Sequence, residues 1–295
     1  MTPVSARRGA FYVSVAAAAW GTGGTAGLLL FQSGGLGPVG VSLWRYLLGA
    51  AFLLALLSLT GGLPARLDPR VVTVGVGMAV YQAAYFAAIA RSGVAVATMV
   101  TMGATPVITA LGSRFVLGER LGRPGVAALA AALAGLVLLT SESLLGSATG
   151  PAGGGVGAGI GFALLSAAGY AAVTLYSRRH RDDPQGMAVG GFVVAAACLA
   201  PFALAGGALP AFSLSSVALL IYLGAVPTAL AYALFFRALT TLSAASVSVI
   251  SLGEAAGAAV LGVLLFGERL TLTAWAGCAL LIAAVVVLTV RPGEG

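Results

Sequence analysis

Residues 115–121 read Phe-Val-Leu-Gly-Glu-Arg-Leu, and residues 264–270 read Leu-Leu-Phe-Gly-Glu-Arg-Leu. Each closes a long apolar run, and the two lie 149 positions apart in a chain of 295 residues. At the same offset, with no gap, Phe86 falls on Phe235, Thr105 on Glu254 and Pro106 on Ala255. The chain reads as one pattern written twice.

Composition says what the pattern is made of. Fifteen cations, all Arg, and eight acids make the chain 8% charged, against 60% hydrophobic residues and 43 glycines. A soluble surface carries about three times that charge, and a mean hydropathy of +1.06 belongs to chains whose outer solvent is lipid. Apolar runs occupy about 10–30, 37–58, 71–90, 93–115, 124–141, 157–177, 187–205, 215–236, 242–265 and 271–290. They are too long for barrel strands and lack period-two alternation, whereas a helix of about 20 residues spans the hydrocarbon core. The expectation is an all-α polytopic membrane protein of ten transmembrane helices.

The Gly-rich stretch with Pro151 in the middle of the chain divides five runs from five. The expected organisation is a first repeat at 1–145, a linker at 146–156 and a second repeat at 157–295. An odd number of crossings per half makes the second half enter the membrane reversed. Such inverted repeats are typical of secondary transporters, with a binding site near the bilayer midplane. Charge sets the orientation. With a cytoplasmic amino terminus, twelve arginines (7, 8, 66, 70, 114, 120, 123, 178, 179, 181, 237 and 291) face the cytoplasm, and only Arg91 and Arg269 face outward. That bias predicts a multi-pass protein of the cytoplasmic (inner) membrane with both termini inside. The net charge of +7 is thus read as topology, and no nucleic acid partner is expected. Arg7-Arg8 before an apolar run imitates a signal peptide, but the run continues past Trp20 to Phe31, so a retained first helix is expected. Cys198 and Cys278 lie in separate apolar runs and suggest no disulfide.

These residues resemble the drug/metabolite transporter superfamily, in its EamA branch. The resemblance rests on Trp20-Gly21 in the first run, the Arg45 region after Pro38 in the second, the two Gly-Glu-Arg-Leu endings and the five-plus-five repeat. It implies that helices 1–4 and 6–9 surround a central cavity, with helices 5 and 10 peripheral. It also implies export of amino acids or other small metabolites. The chain departs from the branch in having Thr105 where an acidic residue commonly precedes the helix 4 proline, and in having Ala255 after Glu254.

Two charges lie well inside the runs. Glu254 is expected about 18 Å along helix 9, near mid-membrane, where an ionised carboxylate facing lipid is costly. It should face the cavity, be protonated or be paired. Arg45 is expected about 12 Å deep in helix 2, where its long side chain can also snorkel. The two are expected either to pair directly or to share a cavity, and the guanidinium suits a substrate carboxylate. Trp20, Tyr81, Tyr85, Tyr170 and Tyr232 complete the candidate substrate-binding set, with Phe86, Phe235 and Phe236 as further aromatic walls. Pro106 is the candidate gating residue, either a hinge or a fixed kink. Gly253 and Gly257 flank Glu254 as a small-residue face.

No phosphate loop, zinc motif, second histidine or aspartyl dyad appears, so no enzyme, cofactor or metal is expected. The leading function is a secondary transporter of a small-molecule substrate by alternating access, with uniport, facilitated export and proton coupling all open. The alternatives are a non-transporting structural or receptor-like membrane protein, or a carrier of nucleotides, sugars or drugs.

Overall fold

The computed structural model describes residues 5–33, 35–59, 69–148, 156–206, 213–266 and 269–290. Among them the chain forms ten helical segments: α1 (Ala6–Ser33), α2 (Pro38–Leu59), α3 (Arg70–Gly93), α4 (Val96–Leu117), α5 (Arg123–Ala148), α6 (Val156–Arg179), α7 (Pro184–Ala205), α8 (Leu214–Ala238), α9 (Ala244–Leu264) and α10 (Leu272–Val290). Among the described residues, α2 to α10 are long and apolar enough to cross a bilayer. With 28 residues α1 has the length, but Gly21-Thr22-Gly23-Gly24-Thr25 makes it less apolar. Large apolar side chains such as Leu111, Phe202 and Leu272 project outward, as a surface solvated by lipid requires.

The breaks between helices have local causes. From Arg70 to Gly112 the helix is interrupted only at Gly93, whose φ of 80° and ψ of 163° suit a residue without a side chain. One glycine therefore makes the α3–α4 turn. Pro106 is buried in α4 and its surroundings keep helical dihedrals. At its end α4 widens into a π-turn at Ser113–Leu117, closed by Gly118 at φ 71°. That left-handed cap swings Glu119 back over the bundle. In α8 a second π-turn, Ala225–Leu230, surrounds Pro227, which has no N–H to give to a regular helix. In α9 the helix tightens at Leu252, where the Leu252 N–H bonds Val249 O and the Ala255 N–H bonds Leu252 O, three residues apart instead of four.

Packing is close because glycines let backbones meet. A Cβ on Gly21 of α1 would fall 3.0 Å from Glu254 O and 3.1 Å from Ala258 N, so α1 lies directly on α9. Gly257 has open space where its own Cβ would sit, so the close approach comes from the α1 glycine. Gly169 of α6 meets Tyr81 of α3, and Gly23 of α1 meets Pro227 of α8. Gly135 of α5 and Gly277 of α10 face each other, and a Cβ on Gly277 would lie 2.6 Å from Gly135 O.

One end of the bundle gathers most of the described arginines. There Arg178 of α6 pairs with Glu119 at 2.8 Å, Arg70 lies 3.9 Å from Asp182, and Gly9 of α1 sits under Thr241 and Leu242 between α8 and α9. At the other end Arg91 lies over the Phe162 ring, 5.5 Å from its centroid. Arg66, Arg291, the Gly267-Glu268 pair of the second Gly-Glu-Arg-Leu turn and residues 149–155 of the expected linker lie outside the described residues.

Candidate functional site

Inside the bundle lies a cavity of about 230 Å³. Its wall includes Trp20 from α1, Arg45 from α2, Tyr81 and Tyr85 from α3, Tyr170 from α6, Tyr232 from α8 and Glu254 from α9. All seven residues singled out as candidates for substrate contact therefore border one space. Pro106 does not border it; its neighbour Thr105 does. Thr105 and Glu254, equivalent at the repeat offset, both reach the cavity. Among the described residues none from α5, α7 or α10 is in its wall. For α7 this differs from the arrangement the resemblance implies: Phe192 of α7 stands behind the wall, stacked 5.7 Å from Tyr46 and edge-on to Tyr232 at 5.3 Å.

The two ionisable groups are held very differently. Arg45 Nε donates to Thr228 Oγ1 at 3.3 Å, and its guanidinium carbon lies 5.9 Å from the Tyr46 ring centroid. Among the described residues nothing accepts from its two terminal nitrogens. Glu254 lies in the first turn after the tightening at Leu252, half-buried, and its carboxyl has no hydrogen bond or ion pair among the described residues. Of the two expected arrangements the structure has the second: Arg45 and Glu254 share the cavity and do not pair. A carboxylate and a guanidinium left open to the same space can take opposite charges from one ligand.

The tyrosines are linked around this pair. Tyr46 and Tyr81 hydroxyls are 3.2 Å apart, and Tyr81 and Tyr232 hydroxyls 2.6 Å apart. Tyr170 meets Tyr81 edge-on at 5.4 Å, and Trp20 meets Tyr232 edge-on at 5.1 Å. Tyr85 hydrogen-bonds Thr98 at 2.6 Å. Phe235 packs behind Trp20 at 5.4 Å, Phe236 packs on Phe235, and Phe86 lies beside Tyr85 without reaching the cavity. Trp20 Nε1 and Ser248 Oγ are buried with no partner among the described residues, although both residues border the cavity. Such orphaned groups cost about 1–3 kcal/mol each, so this wall has unmet hydrogen-bonding capacity.

Several wall residues were not among the candidates for substrate contact. Thr98, Thr101 and Thr105 of α4 all border the cavity, and their spacing of three and then four residues is the signal that would have found them. Ser166 of α6 and Ser251 of α9 had no comparable signal. Thr228 and Tyr46 matter through their bonds to wall residues. Among the described residues no three His, Cys, Asp or Glu side chains cluster as a metal site.

Comparison with known proteins agrees with this architecture. The model of the EamA-like transporter family matches residues 7–141 and again 157–290. The chain is 29% identical over 285 residues to the Bacillus subtilis protein named uncharacterized transporter YwfM, covering 95% of this chain and 93% of that one. It is 30% identical over 221 residues to the Pseudomonas aeruginosa protein PA1977, covering 72% and 74%. A solved crystal structure superposes with a TM-score of 0.78 over 97% of each chain at 21% identity, a likeness of fold.

Proposed function

Because the chain belongs to the EamA-like transporter family, we propose that it is a secondary transporter that exports amino acids or related small zwitterions across the cytoplasmic membrane by alternating access. The observation that carries this reading is the pair Arg45 and Glu254, which border one cavity and leave each other unpaired. A zwitterion brings a carboxylate for the first and an ammonium for the second, and the surrounding rings offer an apolar wall to its side chain. Trp20, Tyr81, Tyr85, Tyr170 and Tyr232 are that wall in this reading.

The inverted repeat is the mechanical part of the proposal. It is supported by the two family matches, and by contacts that exchange the halves: α1 on α8 answers α6 on α3. Rocking of one half against the other would expose the cavity to each side in turn. Both termini are assigned to the cytoplasm on the positive-inside rule, supported by the arginines gathered at one end. Proton exchange is the preferred coupling, with Glu254 as the proton carrier, because it is the acid that faces the cavity without a partner.

The test is flux in proteoliposomes with labelled amino acids, then nucleotides, sugars and cationic drugs, with and without a proton gradient. Amino-acid flux abolished by Arg45→Gln supports the site. Equal loss of gradient dependence in Glu254→Gln supports proton exchange. Absence of flux for every amino acid, or normal amino-acid flux in Arg45→Gln, refutes the reading. Normal flux with unchanged pH dependence in Glu254→Gln removes the proton-carrier role.

A further inference from the structure

We infer that Thr228 and Tyr46, neither of which borders the cavity, are positioning residues that prepare the carboxylate-binding side of the site. Thr228 aims the Arg45 guanidinium, and Tyr46 directs a phenolic proton into the cavity. The inference rests on the zwitterion reading above and deepens it.

Thr228 lies within the π-turn that Pro227 imposes on α8, fully buried. Its hydroxyl donates to Leu223 O at 2.7 Å, a carbonyl five residues back that the wide turn leaves available. A hydroxyl has one proton, so toward Arg45 it can only accept, and Arg45 Nε–H can only donate. The 3.3 Å contact between them therefore has a single polarity. The threonine methyl group is also confined, because it sits 2.6 Å from where a Cβ on Gly49 of α2 would be. A locked hydroxyl holding Nε fixes the plane of the guanidinium. The two terminal nitrogens then form the open edge, which is the edge that grips a carboxylate by two parallel bonds.

The tyrosine chain follows from counting protons. Tyr46 is 0% exposed, and its hydroxyl meets that of Tyr81 at 3.2 Å and also interacts with that of Tyr232. A buried phenolic proton pointing at nothing is costly, so Tyr46 donates to one of these two hydroxyls. One of Tyr81 and Tyr232 donates across the 2.6 Å bond between them. With Tyr46 as a donor to the pair, the remaining proton of Tyr81 or Tyr232 is the one that can turn to the cavity, which both residues border. One phenolic donor is thereby offered beside the guanidinium, where a carboxylate oxygen can accept it. Without Tyr46 the pair loses the hydrogen bond that polarises its spare proton toward the cavity.

The experiment uses the full chain in proteoliposomes and whichever of the twenty standard L-amino acids has the greatest flux. Thr228→Val, which keeps shape and removes the hydroxyl, is expected to raise KM about tenfold with little change in maximal rate. Thr228→Ser should restore KM, and Tyr46→Phe should raise it about threefold. Thr228→Ala replaces the valine variant if that variant does not fold, as judged by its thermal transition. Wild-type KM in Thr228→Val, or a fall in maximal rate that Thr228→Ser fails to restore, overturns the role of Thr228. Wild-type KM in Tyr46→Phe overturns the role of Tyr46. An unchanged KM in Arg45→Gln, or no flux with any of the twenty, overturns the zwitterion reading itself.

Discussion

Replacing Glu119 by glutamine separates a gate from a static cap. The Glu119 carboxylate accepts from Arg178 Nε at 2.8 Å, from the Ala244 N–H at the start of α9 at 3.1 Å, and more weakly from Ser113 Oγ at 3.4 Å. Arg178 in turn donates to Leu239 O at 2.7 Å. One ion pair thus ties the ends of α4, α6, α8 and α9 at the arginine-rich end of the bundle. Glutamine keeps the shape but loses the charge, and its NH₂ must face one of two donors. A hydrogen bond to a charged group contributes about 1.5–3 kcal/mol and a helix cap about 1 kcal/mol. The pair is only 13% and 21% exposed, so solvent screening removes part of that sum but not most of it. A net loss of about 2 kcal/mol corresponds to about a 30-fold shift between closed and open forms of that end. The assay is labelling of Ser251→Cys, in the cavity wall, by a membrane-impermeant maleimide in vesicles of each orientation, with Cys198 and Cys278 replaced by alanine. Glu119→Gln is expected to speed labelling from the Glu119 face about 30-fold, and adding Arg178→Ala should add less than its effect alone, since the two share the ion pair and only the Arg178–Leu239 O bond is lost in addition. Unchanged labelling with a lowered thermal transition would refute the gate and leave Glu119 as a cap.

Gly277→Ala should destabilise the protein by about 1–3 kcal/mol, because its Cβ would meet backbone at Gly135 and Leu139 that cannot step aside. Gly257→Ala, with open space at that position, should change the thermal transition in detergent little. Pro227→Ala allows a regular helix through residues 225–230, and the resulting change in register should turn Tyr232 and misplace Thr228. Its expected signature is a raised KM together with a sharper thermal transition. Arg45→Lys keeps the charge but not the two-pronged geometry, so flux assays should find weakened amino-acid transport of about tenfold, milder than Arg45→Gln.

Much of the fold was legible because membrane helices are announced by sums over neighbouring residues. Hydropathy located the ten segments to within a few residues, except that α5 runs on to Ala148 past the expected end at 141, and Gly93 alone makes the turn between α3 and α4. The candidate site was legible for a related reason: charged and aromatic side chains inside apolar runs are conspicuous, and here they border one cavity. The helix irregularities were read less well. Pro106 was read as a hinge or a fixed kink, and α4 keeps helical dihedrals there, while rearranged turns that the sequence did not announce lie at Pro227 and Leu252. A proline changes a helix only as far as its neighbours fail to absorb the missing bond. In α4 the backbone keeps helical dihedrals through the missing bond.

By itself the sequence determined the membrane class, the approximate number of apolar segments and the twofold family pattern, because each depends on order along the chain. Tertiary structure decided who faces whom. Arg45 meets Thr228 across 183 positions, and Tyr81 meets Tyr232 across 151. Those meetings depend on how far each helix is rotated about its axis. A π-turn changes that rotation by about 100° for one inserted residue. Periodicity read from one side of Pro227 therefore cannot be carried to the other, and only the packed bundle fixes which nitrogens of Arg45 remain open to the cavity.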